Sequence, residues 1–245
     1  MSVFNEEHRL SNAIESILMQ SYQSWQLILV NDASTDNSQR VINHYVKKYK
    51  KITCITNKSN KGLAYSLNKA IKSCNSEYIA RMDADDIAFP NRLETQLRFL
   101  AGHPQIDVLG TGAEVVTINN HKSNVHKPED HNAILNSIEK ANPFFHSSVM
   151  MRRSFIESLG GYNVNWIRAQ DYDLWLRGVD SFRYHNLQEV LMTYSSRIQS
   201  FKSIYYGLYT RIINSYRRRR IVIGSLMAIL VFMYALWLKL SGHFK

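Results

Sequence analysis

An α/β architecture with a doubly wound sheet is predicted by two observations. Short apolar runs of strand length alternate with segments whose apolar residues recur at helical spacing. In addition, the apolar, strand-like run Tyr78 to Met82 ends abruptly in Asp83-Ala84-Asp85-Asp86, three carboxylates within four positions. In open α/β sheets ligands sit at the carboxyl ends of strands. Carboxylates this close repel one another unless a cation or a donor-rich ligand offsets them, so the stretch points to a divalent metal holding a phosphorylated ligand. The alternative is an acidic strand-to-helix turn whose last Asp caps the next helix.

Ser2–Phe4 reads as the end of a very short first strand, as if the chain began partway along it. Asn5 is suited to cap a helix, with Glu6 and Glu7 in its first turn complementing the helix dipole. Leu10, Ile14, Ile17 and Leu18 mark that helix's buried face. Gln26-Leu27-Ile28-Leu29-Val30 is continuously apolar, as expected of a parallel strand covered on both faces. It ends in Asn31-Asp32-Ala33-Ser34-Thr35-Asp36, and a helix through Val41, Ile42, Tyr45 and Val46 leads to a strand at Ile52–Thr56. The polar loop Asn57 to Gly62 precedes a helix carrying Leu63, Leu67, Ala70 and Ile71. Pro90 opens a helix with Leu93, Leu97 and Leu100, and the βαβαβ rhythm favours right-handed crossovers.

From Asp107 the pattern changes. Val108–Ile118 and Phe144–Met151 read as longer strands, separated by a polar segment with His121, His126 and His131. Histidines at intervals of five share no helix face, so this segment is read as a solvated loop rather than a metal site. Gly160-Gly161-Tyr162 is a turn, Gln170-Asp171 begins a helix, and Gln188–Tyr194 is a final strand.

The chain has 245 residues, 45% hydrophobic and 11% aromatic, enough for one sizeable core with an appendage. Two cysteines, Cys54 and Cys74, exclude a disulfide scaffold and suit a reducing, cytosolic setting. The net charge of +10 is local: nine of the 30 basic residues and no acidic ones follow Glu189. The preceding 189 residues then hold 21 basic against 20 acidic residues, which argues against nucleic acid as a partner. Tyr205, Leu208, Arg211, Ile212 and Ile213 suggest an amphipathic helix lying toward a membrane surface. Arg217–Arg220 then precede the uncharged run Ile221 to Leu238, about 27 Å long as a helix against a bilayer core of about 30 Å. The predicted division is a main domain over 1–197, a basic connector over 198–220 and a transmembrane or interfacial helix over 221–238. No N-terminal signal peptide is visible.

The motifs M-S-V-F-N-E-E, I-L-V-N-D-A-S-T-D, N-K-S-N-K-G-L-A, R-M-D-A-D-D, G-G-Y and Q-D-Y-D-L-W-L-R stand in an order that resembles the inverting family 2 glycosyltransferases over about residues 1 to 197. That resemblance implies a GT-A-type fold with a mostly parallel mixed sheet, and transfer of a sugar from a nucleotide sugar with Mn2+ or Mg2+. It places Ser2 and Phe4 against the uracil ring and Asp32 on the uracil imide. Each has a plainer alternative, a core strand end for Phe4 and a helix cap for Asp32. Lys61 would meet the diphosphate or remain a solvated loop lysine. Asp83 would hold the ribose or the metal, and Asp85 the metal. Asp86 is a helix-side cap or a supporting partner. Asp171 would be the general base, with a dipole-stabilised helix carboxylate as its alternative.

Some positions depart from the family pattern. Gln170 stands where a Glu is usual, and Tyr194-Ser195-Ser196-Arg197 lacks the metal-facing His of many relatives. His146 matches a recurrent His-x-Ser and either faces the acceptor or is buried, and Asp173 is read as structural. By resemblance the partners are a UDP-sugar, with UDP-glucose or UDP-galactose favoured, and a GlcNAc- or GalNAc-diphosphoundecaprenol acceptor. The setting implied is O-antigen (lipopolysaccharide) synthesis with a β linkage, at the cytoplasmic face of the bacterial inner membrane. Alternatives are a capsule or exopolysaccharide enzyme with another donor, a nucleotidyltransferase, or a non-catalytic nucleotide-sugar-binding membrane protein.

Overall fold

The computed structural model of the protein describes residues 1–196 and 201–217. Its N-terminal part is a parallel three-stranded sheet of β1 (Ser2–Val3), β2 (Leu27–Asn31) and β3 (Ile52–Thr56) in that order. Helices α1 (Leu10–Leu18), α2 (Ser38–Lys48) and α3 (Leu63–Lys72) connect and cover the strands. Val3, Leu29 and Val30 are fully buried because helices press on both faces, which explains the unbroken apolar run of β2.

The second sheet is mixed. It runs β4 (Tyr78–Ala80), β8 (Met150–Arg152), β6 (Val108–Val116), β9 (Tyr184–Ser195) and β5 (Ile87–Ala88), with β7 (Lys122–Val125) on β6. Only β6 and β9 are parallel neighbours there; the other ladders are antiparallel. Around it lie α4 (Arg92–Gly102), α5 (His131–Ser137), α6 (Arg153–Ser158), α7 (Gln170–Gly178) and α8 (Phe201–Arg217). The single doubly wound sheet expected from the rhythm is therefore split in two. β1 has two residues and pairs with β2, while β4 takes its hydrogen bonds from β8.

Four local expectations are corrected. Asn5 does not cap α1: it sits at φ 55° and its side-chain oxygen accepts from the Thr35 N–H at 2.8 Å, so the helix starts further on, at Leu10. The polar segment read as a loop contains β7 and α5, the latter capped by Asp130, whose carboxylate accepts from the Ala133 N–H. Phe144–Met151 is not one strand, because a 3-10 turn at His146–Ser148 breaks it before β8. The last strand begins at Tyr184, ahead of Gln188, where β6 offers a parallel edge.

The largest apolar cluster centres on Trp175 of α7, whose ring meets Phe144 at 5.1 Å, Phe155 at 6.1 Å and Tyr184 at 6.4 Å. Burial of such rings is the main force holding α7 against the sheet. A polar anchor supplements it. Asn186 of β9 is fully buried and donates to the carbonyls of Pro128 at 2.7 Å and Pro143 at 3.1 Å. A side chain at Gly110 would put its Cβ 2.1 Å from the Asn186 Oδ1, so glycine there leaves the room this anchor needs. Asn186 thereby pins the segments that present Lys127 and Asn142.

The run Ile221–Leu238, with Arg218–Arg220 and Arg197, lies outside the described residues, and among those described no helix is long and apolar enough to cross a membrane. α8 does fall within the segment read as a connector. It packs on α7, buries Thr210 and Ile212, and sets Tyr209 edge-on to Trp166 at 5.1 Å.

Candidate active site

The carboxyl ends of β1, β2 and β4, the start of α7 and one side of α8 enclose a cleft of about 1080 Å3. Ser2, Phe4, Asp32, Asp83, Asp85, Asp86 and Asp171 all line it, so the structure gathers nearly every residue singled out from the sequence. Lys61 is the exception. It is exposed and is not among the lining residues, although its backbone N–H donates to Asp32 at 2.9 Å.

Asp32 follows β2 and is almost fully buried. Its Oδ1 accepts from Asn57 Nδ2 at 2.7 Å and from the Lys61 N–H, and its Oδ2 accepts from the Gly62 N–H at 2.8 Å. An ionised carboxylate has about four acceptor positions, so this shaping of the 57–62 loop leaves about one, on Oδ2. Gly62 adopts φ 86°, which lets the loop turn its amides onto Asp32 before α3 begins. Phe4 is 44% exposed at the cleft edge, an aromatic face available for stacking.

The acidic group follows β4. Asp83, Asp85 and Asp86 each offer a ligand oxygen, and these atoms lie within 4.8 Å of one another. Asp83 is held by buried Arg81, whose guanidinium donates through both terminal nitrogens to its two oxygens. Ser147 completes this clasp, accepting from Arg81 Nη1 at 2.8 Å and from the Asp83 N–H at 2.9 Å. Asp85 meets Arg9 at 3.4 Å. Asp86 faces inward, accepting the Ser195 N–H at 2.7 Å through Oδ1, while its buried Oδ2 has no hydrogen-bond partner. Burial, and then the charge of Asp83, push the Asp86 carboxyl up to about 7, against the Ser147 hydroxyl and the Ser195 N–H. Three carboxylates, one of them with an orphaned oxygen, offer the hard oxygen donors that fit Mg2+ or Mn2+, and the group lacks the nitrogen and sulfur ligands that softer metals prefer.

Asp171 stands on another wall, in the first turn of α7, after Ala169 at φ 58° starts the helix. Asn142 Nδ2 donates to its Oδ2 at 2.7 Å. Burial raises the Asp171 carboxyl above the ordinary range, and Asn142, the helix N–H groups and Arg81 only partly offset this. Gln170 beside it is buried and also lines the cleft. Asp173 points away into the core, where it pairs with Arg177 at 2.7 Å, and Arg177 also donates to the Leu159 and Gly161 carbonyls. His146 is buried too: Nε2 lies 2.8 Å from the Tyr162 hydroxyl, and burial together with Arg81 holds the ring well below the usual histidine range. His121 and His126 are not brought together with the acidic group, and His131 accepts from the Tyr184 N–H.

In place of a late His, β9 presents Tyr194 and Ser195. Burial, then Asp83, Asp86 and Asp171, push the Tyr194 phenol up to about 12. Ser195 Oγ donates to the Asp85 carbonyl at 2.7 Å, tying β9 to the acidic loop. Sequence reasoning also missed Arg81, Lys127, Asn142 and Arg211 as parts of the site. Arg81 did carry a signal, an arginine inside an otherwise apolar strand run; Lys127 and Asn142 lie in irregular segments, and Arg211 reads as the polar face of an amphipathic helix.

Residues 1–160 match the family model "Glycosyl transferase family 2". The chain belongs to glycosyltransferase family 2. It is 41% identical over 209 residues to the putative glycosyltransferase EpsE of Bacillus subtilis, covering 82% of this chain and 73% of that protein. It is 28% identical to the UDP-Gal:alpha-D-GlcNAc-diphosphoundecaprenol beta-1,3-galactosyltransferase of Escherichia coli, covering 75% of this chain and 67% of that one. With these relatives the protein is a glycosyltransferase enzyme. Among solved structures, Staphylococcus aureus TarS 1–349 with UDP superimposes with a TM-score of 0.70 at 18% identity, over 87% of this chain and 63% of TarS. The mannosyltransferase PcManGT of Pyrobaculum calidifontis, in complex with GDP-Man and Mn2+, gives 0.67 at 19%, over 89% of this chain and 62% of that one. These likenesses establish the GT-A-type fold, and this chain spans somewhat under two thirds of either structure.

Proposed function

We propose that this family 2 enzyme transfers a hexose, with UDP-glucose or UDP-galactose favoured, onto a GlcNAc- or GalNAc-diphosphoundecaprenol acceptor with inversion. The observation that carries the reading is the single cleft in which Asp171 faces the Asp83–Asp86 group. A base and a leaving-group site on separate walls suit in-line displacement. The donor lies with its uracil between Phe4 and Ser2, and its imide N–H takes the remaining acceptor position of Asp32. Asp85, together with Asp83, would hold Mg2+ or Mn2+, and that ion would supply positive charge to offset the charge of the leaving diphosphate. Lys61, exposed at the loop end, reaches the diphosphate from the rim.

Asp171 accepts the proton of the attacking acceptor hydroxyl as the new bond forms, and Asn142 keeps its Oδ2 fixed while Oδ1 turns to the acceptor. Arg81 holds Asp83 in place. The similarity to the E. coli galactosyltransferase supports a lipid-linked acceptor and a β linkage, and the pathway favoured is O-antigen assembly at the cytoplasmic face of the inner membrane. There the basic, apolar C-terminal stretch of the sequence would meet an anionic interface.

A donor screen with a synthetic GlcNAc-diphosphate-lipid, with and without Mn2+, tests this. The expected result is release of UDP and a β-linked disaccharide lipid. No UDP release with any donor would sink the proposal, and pyrophosphate release from a nucleoside triphosphate would mark a nucleotidyltransferase instead.

A further inference from the structure

Two cations in the cleft have no role in the chemistry above. Lys127, ahead of Pro128, is half-buried, with its Nζ 4.8 Å from the centre of the Phe145 ring and 3.2 Å from the Asn142 carbonyl, which it donates to. Arg211 comes from α8, about 80 residues away in sequence. Its guanidinium carbon lies 5.7 Å from the centre of the Tyr172 ring, and its buried Nε has no hydrogen-bond partner. Both line the cleft, and among the described residues neither makes an ion pair.

Keeping a cation out of water without a carboxylate partner costs folding energy, so two such groups in one concavity need a reason. Burial in fact pulls the Lys127 ammonium down, and the charge of Asp171 only partly offsets it. Lys127 has three N–H donors and spends one on Asn142, and Arg211 keeps Nε–H unmatched, so donors remain for an anion. Their position says which anion. Asn142 receives Lys127 on its carbonyl and donates through its amide to Asp171, while Arg211 lies on Tyr172, the residue after Asp171. Lys127 is thus tied to Asp171 through Asn142, and Arg211 enters the same cleft from α8 against the neighbouring turn of α7, whereas Arg81 and Arg9 are the cations on the acidic group after β4.

We propose that Lys127 and Arg211 form an anion subsite for the diphosphate of the lipid-linked acceptor, next to Asp171. This rests on the acceptor class proposed above. It adds that the enzyme recognises the acceptor's phosphates as well as its sugar, and that α8 is part of the binding machinery. A diphosphate also occurs in the donor, so the two sources have to be separated.

The test is calorimetric binding of farnesyl diphosphate, with UDP and Mn2+ saturating so that the donor half is filled, alongside the Kd for UDP itself. For Lys127→Gln and Arg211→Gln, each loses a charge-assisted contact, and farnesyl diphosphate is expected to bind about tenfold more weakly in each. Lys127→Arg and Arg211→Lys should restore most of it, and UDP affinity should stay within about twofold of the native value, given the spread of single-contact effects. Melting curves confirm that each variant folds. Unchanged farnesyl diphosphate binding in both Gln variants overturns the subsite, and an equal loss of UDP binding assigns the cations to the donor instead. The binding readout needs no transfer. A protein that transfers no sugar yet shows the predicted loss faults the functional reading and keeps the subsite.

Discussion

Asp171 and Asn142 make a two-residue system whose parts have separable effects. Asp171→Asn keeps the shape and removes the base, so kcat should fall about 10^2- to 10^4-fold while UDP affinity holds, by steady-state rates and calorimetry. Retained turnover would assign the base elsewhere. The carboxyl is raised by burial, so it holds its proton to a higher pH than an ordinary Asp, and only the deprotonated form can act as base. The rate should therefore climb with pH through a midpoint above the usual carboxylate range. Asn142→Ala removes a hydrogen bond that favours the charged form, and should move this acid limb to still higher pH. A pH–rate profile that stays in place in that variant would contradict the assigned contact.

Arg81, Asp32 and Ser147 show how few side chains organise the donor half. Arg81 clasps Asp83, Ser147 supports both, and Asp32 shapes the loop that ends in Gly62. Asp32 is thus neither a helix cap nor a carboxylate free for the nucleotide alone, because most of its acceptor capacity is spent inside the protein.

At the level of elements, α7 carries both chemistry and stability, on different sides. Its first turn presents Asp171 to the cleft, and two residues on, Asp173 is fully buried against Arg177. Arg177→Ala removes this buried ion pair and frees the Leu159 and Gly161 carbonyls, a loss of about 3 kcal/mol or more. Urea denaturation should show it, with donor affinity retained in the folded fraction; an unchanged midpoint would mean that the pair is dispensable. Gly178 closes the same helix against Tyr184 and Phe155, where an added Cβ would lie 2.5 and 2.7 Å from their atoms. Gly178→Ala should cost about 1–3 kcal/mol by overpacking.

Across the whole molecule, the two sheets divide the labour. The parallel sheet supplies Ser2, Phe4 and Asp32, and the mixed sheet supplies the acidic loop, which runs between its terminal strands β4 and β5, and, through β9 and its partners, the wall that holds Asp171. The acidic group joins the two halves, so chelation should weaken UDP binding strongly, and Mn2+ or Mg2+ should restore it. Asp85→Ala should raise the metal concentration needed for half-maximal activity by about tenfold, as loss of a metal contact typically does. Activity indifferent to chelator would exclude the metal role assigned to this group.

Much of this was legible along the chain because it is local. An apolar run followed by turn or acidic residues marks a strand end, and the ends at Phe4, Asp32 and Asp83–Asp86 are found without knowing what lies beside them. Asp171 was legible in the same way, as an acidic helix start within a motif. The split of the sheet, the β7 hairpin and the 3-10 turn were not, since each depends on which edge a strand finds. Nor was any local signal of a role in the cleft attached to Lys127, Asn142 or Arg211. They reach it because buried Asn186 pins two distant carbonyls and because α8 folds back onto α7. Such contacts join residues tens of positions apart, where no periodicity or spacing rule operates, so only the packed structure could bring them together.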